Sequence, residues 1–278
     1  GMQTVTWEDS SGGGGSERAR WLVDASGVAA FLARGNGWLT PNAEHPIASL
    51  WSRWSGVANW DSQELADQFP EWAGRTKATR STATNHLVGR GWWAWFIPLK
   101  GGDVSIGVVY DQRIMELPPV PSLGARLKAF LMTHPVAAEL LAHATYQEDD
   151  VHFRRNLAYS NTQFATDGAV LVGDAAGFID PVFSTGVFLA IASGEQTADA
   201  IHIALDRPEK RAGLFAAYEK RINRVMDLYL RFVNSWYQHE FIEVISSPTR
   251  HFQLPQAVNA ILAGNIDAGF AVWWRMQL

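Results

Sequence analysis

The stretch Gly168-Ala-Val-Leu-Val-Gly-Asp-Ala-Ala-Gly-Phe-Ile-Asp-Pro-Val-Phe-Ser-Thr-Gly-Val187 decides the fold of this 278-residue chain. Ala169 to Val172 form a short apolar run, the pattern of a strand buried in a parallel sheet. Gly173-Asp174 then ends the strand with a carboxylate at its C-terminal edge, where open α/β sheets bind nucleotides. Asp174 is placed to accept hydrogen bonds from cofactor sugar or polyol hydroxyls, and the small Ala175, Ala176 and Gly177 let backbone come close. Pro181 through Gly186 turn the chain into an apolar helix, from about Val187 to Leu205. The first N–H groups of such a helix are unpaired and partly positive, which suits an anion or an electron-rich ring edge. The plainer alternative is an aspartate that caps a helix after a buried strand.

This stretch resembles the second flavin-contact motif of the FAD-dependent monooxygenase superfamily, with Gly173-Asp174 as its Gly-Asp pair and Asp180-Pro181 as its Asp-Pro. Phe178 to Val187 is more narrowly similar to the flavin-dependent halogenases. Two other segments carry the same resemblance. Ala19 to Gly27, with Asp24-Ala25-Ser26-Gly27, resembles the superfamily's Asp-Ala-Ser-Gly strand end in the FAD domain. Trp93-Ala94-Trp95-Phe96-Ile97-Pro98 matches the Trp-x-Trp-x-Ile-Pro signature that separates halogenases from flavin hydroxylases. The three occur in the family's order, and the resemblance runs from about Arg18 to the C-terminus, weakest between Phe31 and Asn85.

The resemblance implies reduced FAD as cofactor, oxygen and a halide (chloride or bromide) as reactants, and hypohalous acid as the halogenating species. Its cofactor-binding residues would be Asp24, Gly173, Asp174, Ala175, Asp180, Pro181, Gly186 and Val187. The halide would rest on the backbone amides of Thr185 and Gly186 beside Ser184, an anion nest at a helix start. Trp93, Trp95, Ile97, Pro98 and Phe183 would line the active site. Phe183 stands where the tryptophan-specific branch has glutamate, which points to an aromatic or carrier-bound substrate other than free tryptophan. A flavin reductase is the implied partner. A hydroxylase or reductase of the same superfamily is an alternative, as is a non-catalytic remnant that binds a hydrophobic ligand or a partner.

Such enzymes open with a strand and a Gly-x-Gly-x-x-Gly turn that receives the FAD pyrophosphate, and no such turn occurs in these residues. Gly12 to Gly15 follow polar residues rather than an apolar strand and read as a hairpin loop or a Gly-Ser linker. The family's catalytic lysine lies before the Asp-Ala-Ser-Gly strand, whereas Lys77, Lys100, Lys128, Lys210 and Lys220 all follow it. The catalytic residue is therefore unknown, and the expectation is a halogenase-like chain without its N-terminal FAD-binding segment. Gly1-Met2 reads as a tag remnant ahead of a start methionine.

The net charge of −5 argues against a nucleic-acid partner. No apolar run nears the roughly 20 residues of a spanning helix and no signal peptide is visible, so no membrane and a cytoplasmic location are expected. With no cysteine, disulfides and thiolate metal sites are excluded, and the eight histidines lack metal-ligand spacing. An uncovered sheet edge would favour association between copies, which leaves homo-oligomerisation open.

The expected class is α/β (α+β): a partial FAD/NAD(P)-binding nucleotide domain, an antiparallel-sheet substrate domain and C-terminal helices. The boundaries are residues 1–30 and 151–205 for the FAD-domain remnant, 31–150 for the sheet and 206–278 for the helices. Val5 to Trp7 and Arg20 to Asp24 read as a hairpin across the glycine loop. Thr84 to Val88, Trp92 to Pro98 and Val104 to Tyr110 read as strands, the last two joined at Gly101-Gly102-Asp103. Ser122 to Met132, Ala212 to Ile245 and Ala257 to Ala263 read as helices. Trp93 and Trp95 share one strand face, as a bulky wall between substrate and activated flavin or, alternatively, as core packing. His86 reads as a structural hydrogen-bonder, Glu148-Asp149-Asp150 as a solvated turn and Arg154-Arg155 as a surface ion pair. Trp236, Tyr237, Phe241 and Trp273-Trp274 read as packing residues.

Overall fold

In the computed structural model the chain opens with strands β1 (Gln3–Glu8), β2 (Gly14–Ala19) and β3 (Leu22–Asp24), a short helix α1 (Phe31–Gly35) and β4 (Leu39–Pro41). Next come β5 (Ile47–Ser55), helices α2 (Gln63–Gln68) and α3 (Pro70–Gly74), and strands β6 (Asn85–Gly89), β7 (Trp92–Pro98) and β8 (Val104–Asp111). Helices α4 (Leu123–Leu131) and α5 (Pro135–Leu141) precede β9 (Thr145–Arg155). Short strands β10 (Tyr159–Asn161), β11 (Ala165–Thr166) and β12 (Ala169–Leu171) follow, then the long helices α6 (Gly186–Asp206) and α7 (Arg211–Trp236). The structure describes residues 2–74, 79–238, 241–243 and 260. They fall into two units, one built on residues 2–43 and Ala158–Trp236, the other on Glu44–Leu157.

In the first unit β12 pairs parallel with β3 and antiparallel with β11. Ala169, Val170 and Leu171 are all buried, as the apolar run requires, and helices α6 and α7 supply Ala200, Ala204, Phe215 and Tyr218 to the same core. Tyr218 is wholly buried and its hydroxyl donates to the Leu171 carbonyl at 2.5 Å. Burial pushes its phenol up to about 12. Between pH 10 and about 12 the folded state therefore holds a proton that the unfolded chain has lost, so stability falls as pH rises through that window. Tyr218→Phe is expected to cost about 1–2 kcal/mol at neutral pH and to flatten that alkaline loss. Urea melts at neutral and alkaline pH measure both, and an unchanged alkaline slope would refute the second.

The N-terminal hairpin differs from the sequence expectation. β1 pairs antiparallel with Gly14–Ala19 instead of Arg20–Asp24. The Asp9 carboxylate accepts from the Ser11 and Gly13 amides and closes a tight Asp-Gly loop. That tight closure pulls Gly14 and Gly15 into the strand and leaves Leu22–Asp24 for the parallel pairing with Ala169–Leu171. The outer edge of β3 has no strand partner among the described residues. Val23, and Val187 and Ile191 on α6, are exposed.

The second unit is an antiparallel sheet in the order β6-β7-β8-β5-β9. Its core face carries Leu50 and Trp54 of β5, Ala94 and Phe96 of β7, and Ile106 and Val108 of β8, against Leu127, Leu131, Leu140 and Leu141 of α4 and α5. Each such fully buried aliphatic side chain contributes about 1.5–3 kcal/mol. The β7–β8 turn forms where expected, with Gly101 at φ 99° and Gly102 at φ 94°, a conformation open to glycine. Ser122 caps α4, its Oγ accepting from the Ala125 amide at 3.1 Å.

Two further expectations, the acidic turn and the end of the long helix, are corrected. Glu148-Asp149-Asp150 lie within β9 and not in a turn; β9 is an edge strand, where charged side chains discourage further pairing. The region between Phe31 and Asn85, where the family resemblance is weakest, contains β5, which pairs with both β8 and β9. Helix α7 ends at Trp236, short of Ile245, where Tyr237 and Gln238 leave the helix. Residues 241–243 and 260 are again helical; Lys77, Ile245, Trp273-Trp274 and the rest of the 257–263 segment lie outside the described residues.

Candidate functional site: a loop at the strand ends and an aromatic sheet face

The loop that leaves β12 is held from several directions. Gly173 sits at φ 57°, its amide donates to Ser193 Oγ at 2.9 Å, and a Cβ there would press on Ala190 at 3.0 Å. Asn161 Nδ2 donates to the carbonyls of Ala175 and Ala176 at 3.0 and 2.8 Å, and the Tyr159 hydroxyl donates to the Asp174 carbonyl at 2.7 Å. The sequence did not single out Tyr159, Asn161 or Ser193. Their partners are remote in sequence, and no local pattern marks them.

The Asp174 side chain is the exception in this tied-down loop. It is half-buried, its carboxylate takes no hydrogen bond from a described residue, and burial raises it above the usual carboxylate value of 3.8. A half-buried carboxylate without donors fits a ligand that brings hydroxyls. Gly186 lies beside it: a Cβ there would meet only Asp174 Oδ1, at 3.9 Å. These features fit the edge of a bound flavin nucleotide.

Asp24 and Asp180 are engaged differently. Both Asp24 oxygens accept backbone amides, Oδ1 from Ser26 at 3.0 Å and Oδ2 from Leu32 at 2.7 Å, which ties the strand end to α1. Asp180 Oδ1 accepts from the Val182 amide at 2.8 Å and caps the turn that starts at Pro181. Ser184 follows at φ 52°, and its amide donates to the Pro181 carbonyl at 3.0 Å. The amides of Thr185 and Gly186 have no partner among the described residues and sit at the N-terminus of α6.

Two hollows meet at this point. An open cleft of about 370 Å³ runs over the ends of β3 and β12, lined by Ala25, Gly27, Gly173, Asp174, Gly186 and Val187. A cavity of about 300 Å³ lies behind the loop, between Phe178–Val187 and Val225, Met226 and Tyr229 of α7. Both share Asp174 and Gly186. Phe183 lines the second and packs edge-on against Phe232 and Trp236, with centroids 6.1 and 5.7 Å away.

In the sheet unit, Trp93 and Trp95 lie on the face opposite the α4–α5 core, their rings 5.6 Å apart. Trp93 is 2% exposed and its Nε1 donates to the Tyr237 hydroxyl at 3.1 Å. His86 meets the Trp93 ring edge-on at 5.3 Å. Ile97 is half-buried and Pro98 is the exposed last residue of β7. Arg155 lies over Phe153 at 5.3 Å, a cation–π contact in place of the expected ion pair.

A parallel strand pair ending in a small-residue loop, together with an antiparallel sheet, makes this an α/β protein, with the loop at the strand ends where open α/β sheets bind nucleotides. Residues 4–242 match the model of the tryptophan halogenase family. The chain belongs to that family. It is 28% identical to the flavin-dependent halogenase armH1 of Armillaria mellea over 71% of this chain and 38% of that protein. It is 29% identical to the sulochrin halogenase gedL of Aspergillus terreus over 82% of this chain and 40% of that protein. The chain thus spans less than half the length of these curated relatives. The structure of flavin-dependent brominase Bmp2 matches with a TM-score of 0.79 at 21% identity, over 99% of this chain and 65% of its own. Halogenase PltM, solved in complex with phloroglucinol and FAD, matches with a TM-score of 0.76 at 18% identity, over 96% of this chain and 55% of its own. Among the described residues no helix is long and apolar enough to cross a membrane.

Proposed function

We propose that this chain is part of a flavin-dependent halogenase acting on an aromatic or carrier-bound substrate, with reduced FAD delivered by a flavin reductase. One observation carries the reading: the donor-free Asp174 carboxylate lines the same cavity as Thr185 and Gly186, whose amides have no acceptor among the described residues. The first suits polyol hydroxyls, the second an anion, and a flavin with a halide presents both. Bound reduced FAD would supply oxygen activation, which no side chain here can perform.

The chain's own residues bind and exclude. Gly173, Ala175, Gly186 and Val187 leave room for the flavin edge, Asp174 accepts its hydroxyls, and Asp24, Asp180 and Pro181 hold the two turns that position them. Thr185 and Gly186, beside Ser184, hold chloride or bromide on backbone amides. Trp93, Trp95, Ile97 and Pro98 form the bulky part of the sheet face, and Phe183 keeps the cavity behind the loop apolar. The reaction class is electrophilic substitution of an aromatic hydrogen by hypohalous acid. A phenolic ring is the favoured substrate class, supported by Phe183 in place of a carboxylate.

Titrating the purified chain with FAD while following flavin fluorescence tests the reading. Saturable quenching, with the FAD midpoint shifted by added bromide but not by sulfate of equal ionic strength, is the expected result. No saturation at high micromolar FAD would sink the cradle assignment.

A further inference from the structure

Cross-strand register lines up one row across the face of the sheet that carries Trp93. Trp95 of β7 pairs with Gly107 of β8, Gly107 with Trp51 of β5, and Trp51 with His152 of β9. Because Gly107 has no side chain, the Trp95 ring lies over it beside the Trp51 Cβ, and the two rings come to 6.3 Å between centroids, tilted by 45°. The His152 ring stacks on Trp51 at 5.2 Å with an interplanar angle of 27°. Its Nε2 lies 2.7 Å from Asp150 Oδ1, while Arg53 Nε lies 3.6 Å from Asp150 Oδ2. Both members of the pair are reachable, with His152 49% and Asp150 32% exposed at the side chain.

We infer that Trp51, Trp95, His152 and Asp150 form a phenol-binding site, with His152 as the base that ionises the ring. The inference rests on the halogenase reading for its substrate class. Asp150 accepts the Nε2 proton, which selects the tautomer whose Nδ1 carries the lone pair. That Nδ1 has no hydrogen-bond partner among the described residues. A phenol stacked on the tryptophan row donates its O–H there. The proton moves from oxygen to Nδ1, leaving a phenolate and an imidazolium paired with Asp150, and no bond to carbon changes. The imidazolium returns its proton to solvent when the ligand leaves.

Charge agrees with this occupant. Arg53, beside Asp150, and Arg154, which shares the side of β9 that carries His152, bring positive charge to this part of the face; Glu148 and Asp149 precede Asp150 in β9, and His86 pairs with Trp95 in the same row. The Arg53 and Arg154 guanidiniums offer an anionic ring a positive partner, and a phenolate is far more reactive than a phenol toward electrophilic halogen. Stacking supplies ring affinity at a low entropic cost. The family signature includes Trp95 but neither Trp51 nor the dyad, and only the strand register brings them to it.

The test uses para-nitrophenol, whose ionised form absorbs visible light, titrated with the full chain at a pH below the phenol's own pKa. Binding is expected to raise the phenolate absorbance. His152→Gln should abolish that rise and weaken binding roughly tenfold, whereas Asp150→Asn should reduce the rise while stacking affinity persists. Trp51→Leu should lower affinity without changing the fraction ionised once bound. An absence of binding by the wild-type chain, or an unchanged absorbance rise in His152→Gln, overturns the site. The wild-type FAD titration is run in parallel. Phenol ionisation without FAD binding would refute the halogenase reading and leave the dyad standing; FAD binding without phenol ionisation would do the reverse.

Discussion

Asp174→Ala is expected to weaken FAD binding by roughly ten- to hundredfold, the span set by losing one or two hydrogen bonds to a charged acceptor. The carboxylate has no donor among the described residues, so its removal leaves no protein group stranded. The loss should therefore fall on the ligand and not on the fold. Stability should move the other way. Burial raises the Asp174 carboxyl above 3.8, so the folded chain holds this proton more tightly than the unfolded one. That contribution is present in full below the unfolded value and is lost as pH rises through the folded value. At neutral pH the ionised, half-buried group is a burden, and Asp174→Asn should melt slightly higher than wild type there, with the difference vanishing in acid. Thermal melts of the FAD-free chain across that range, beside the FAD titration, read both effects. A destabilised Asp174→Asn at neutral pH would mean the carboxylate is a structural acceptor after all.

Gly107→Ala is expected to destabilise the sheet unit by about 1–3 kcal/mol, the range for overpacking. A Cβ at 107 would lie 2.4 Å from both Trp51 Cβ and Trp95 Cζ2. Trp51 Cβ is fixed to the strand backbone, so a rotamer change cannot relieve the clash. The Trp51 and Trp95 rings would have to part, and tryptophan fluorescence should shift along with the urea midpoint. An unchanged midpoint would show that the Trp95 ring and the Trp51 Cβ do not close over Gly107. Comparing Gly107→Ala with Trp51→Leu separates strain in the sheet from loss of the ring itself.

Much of the fold was legible because its signals are local. The apolar run Ala169–Val172, the Gly-Asp strand end, the Pro181–Gly186 turn and the α6 helix follow one another within a single stretch, each under short-range steric rules. The period-two pattern of β7 and the glycine turn before β8 were equally local. The hairpin misreading had the same kind of cause: the Asp9 side chain closes a tighter loop than four consecutive glycines suggest. Strand β5 was not legible, since its Trp-Ser-Arg-Trp run shows no clean apolar alternation and its partners lie more than forty residues away. The acidic run in β9 reads as a turn until the pairing of its flanking residues with β5 places it on a sheet edge.

By itself the sequence determined the family, the α/β class, the loop that carries Asp174 and Gly186, and the strand that carries Trp93 and Trp95. All of these are written in contiguous residues whose spacing dictates backbone geometry. Only the tertiary structure decided which carboxylates are free. Asp24, Asp174 and Asp180 look alike in sequence, yet two accept backbone amides and one is left without a donor among the described residues. Tertiary structure alone also set Trp51 and His152 beside Trp95. That adjacency comes from hydrogen-bonded register between strands far apart in the chain, which no local pattern encodes.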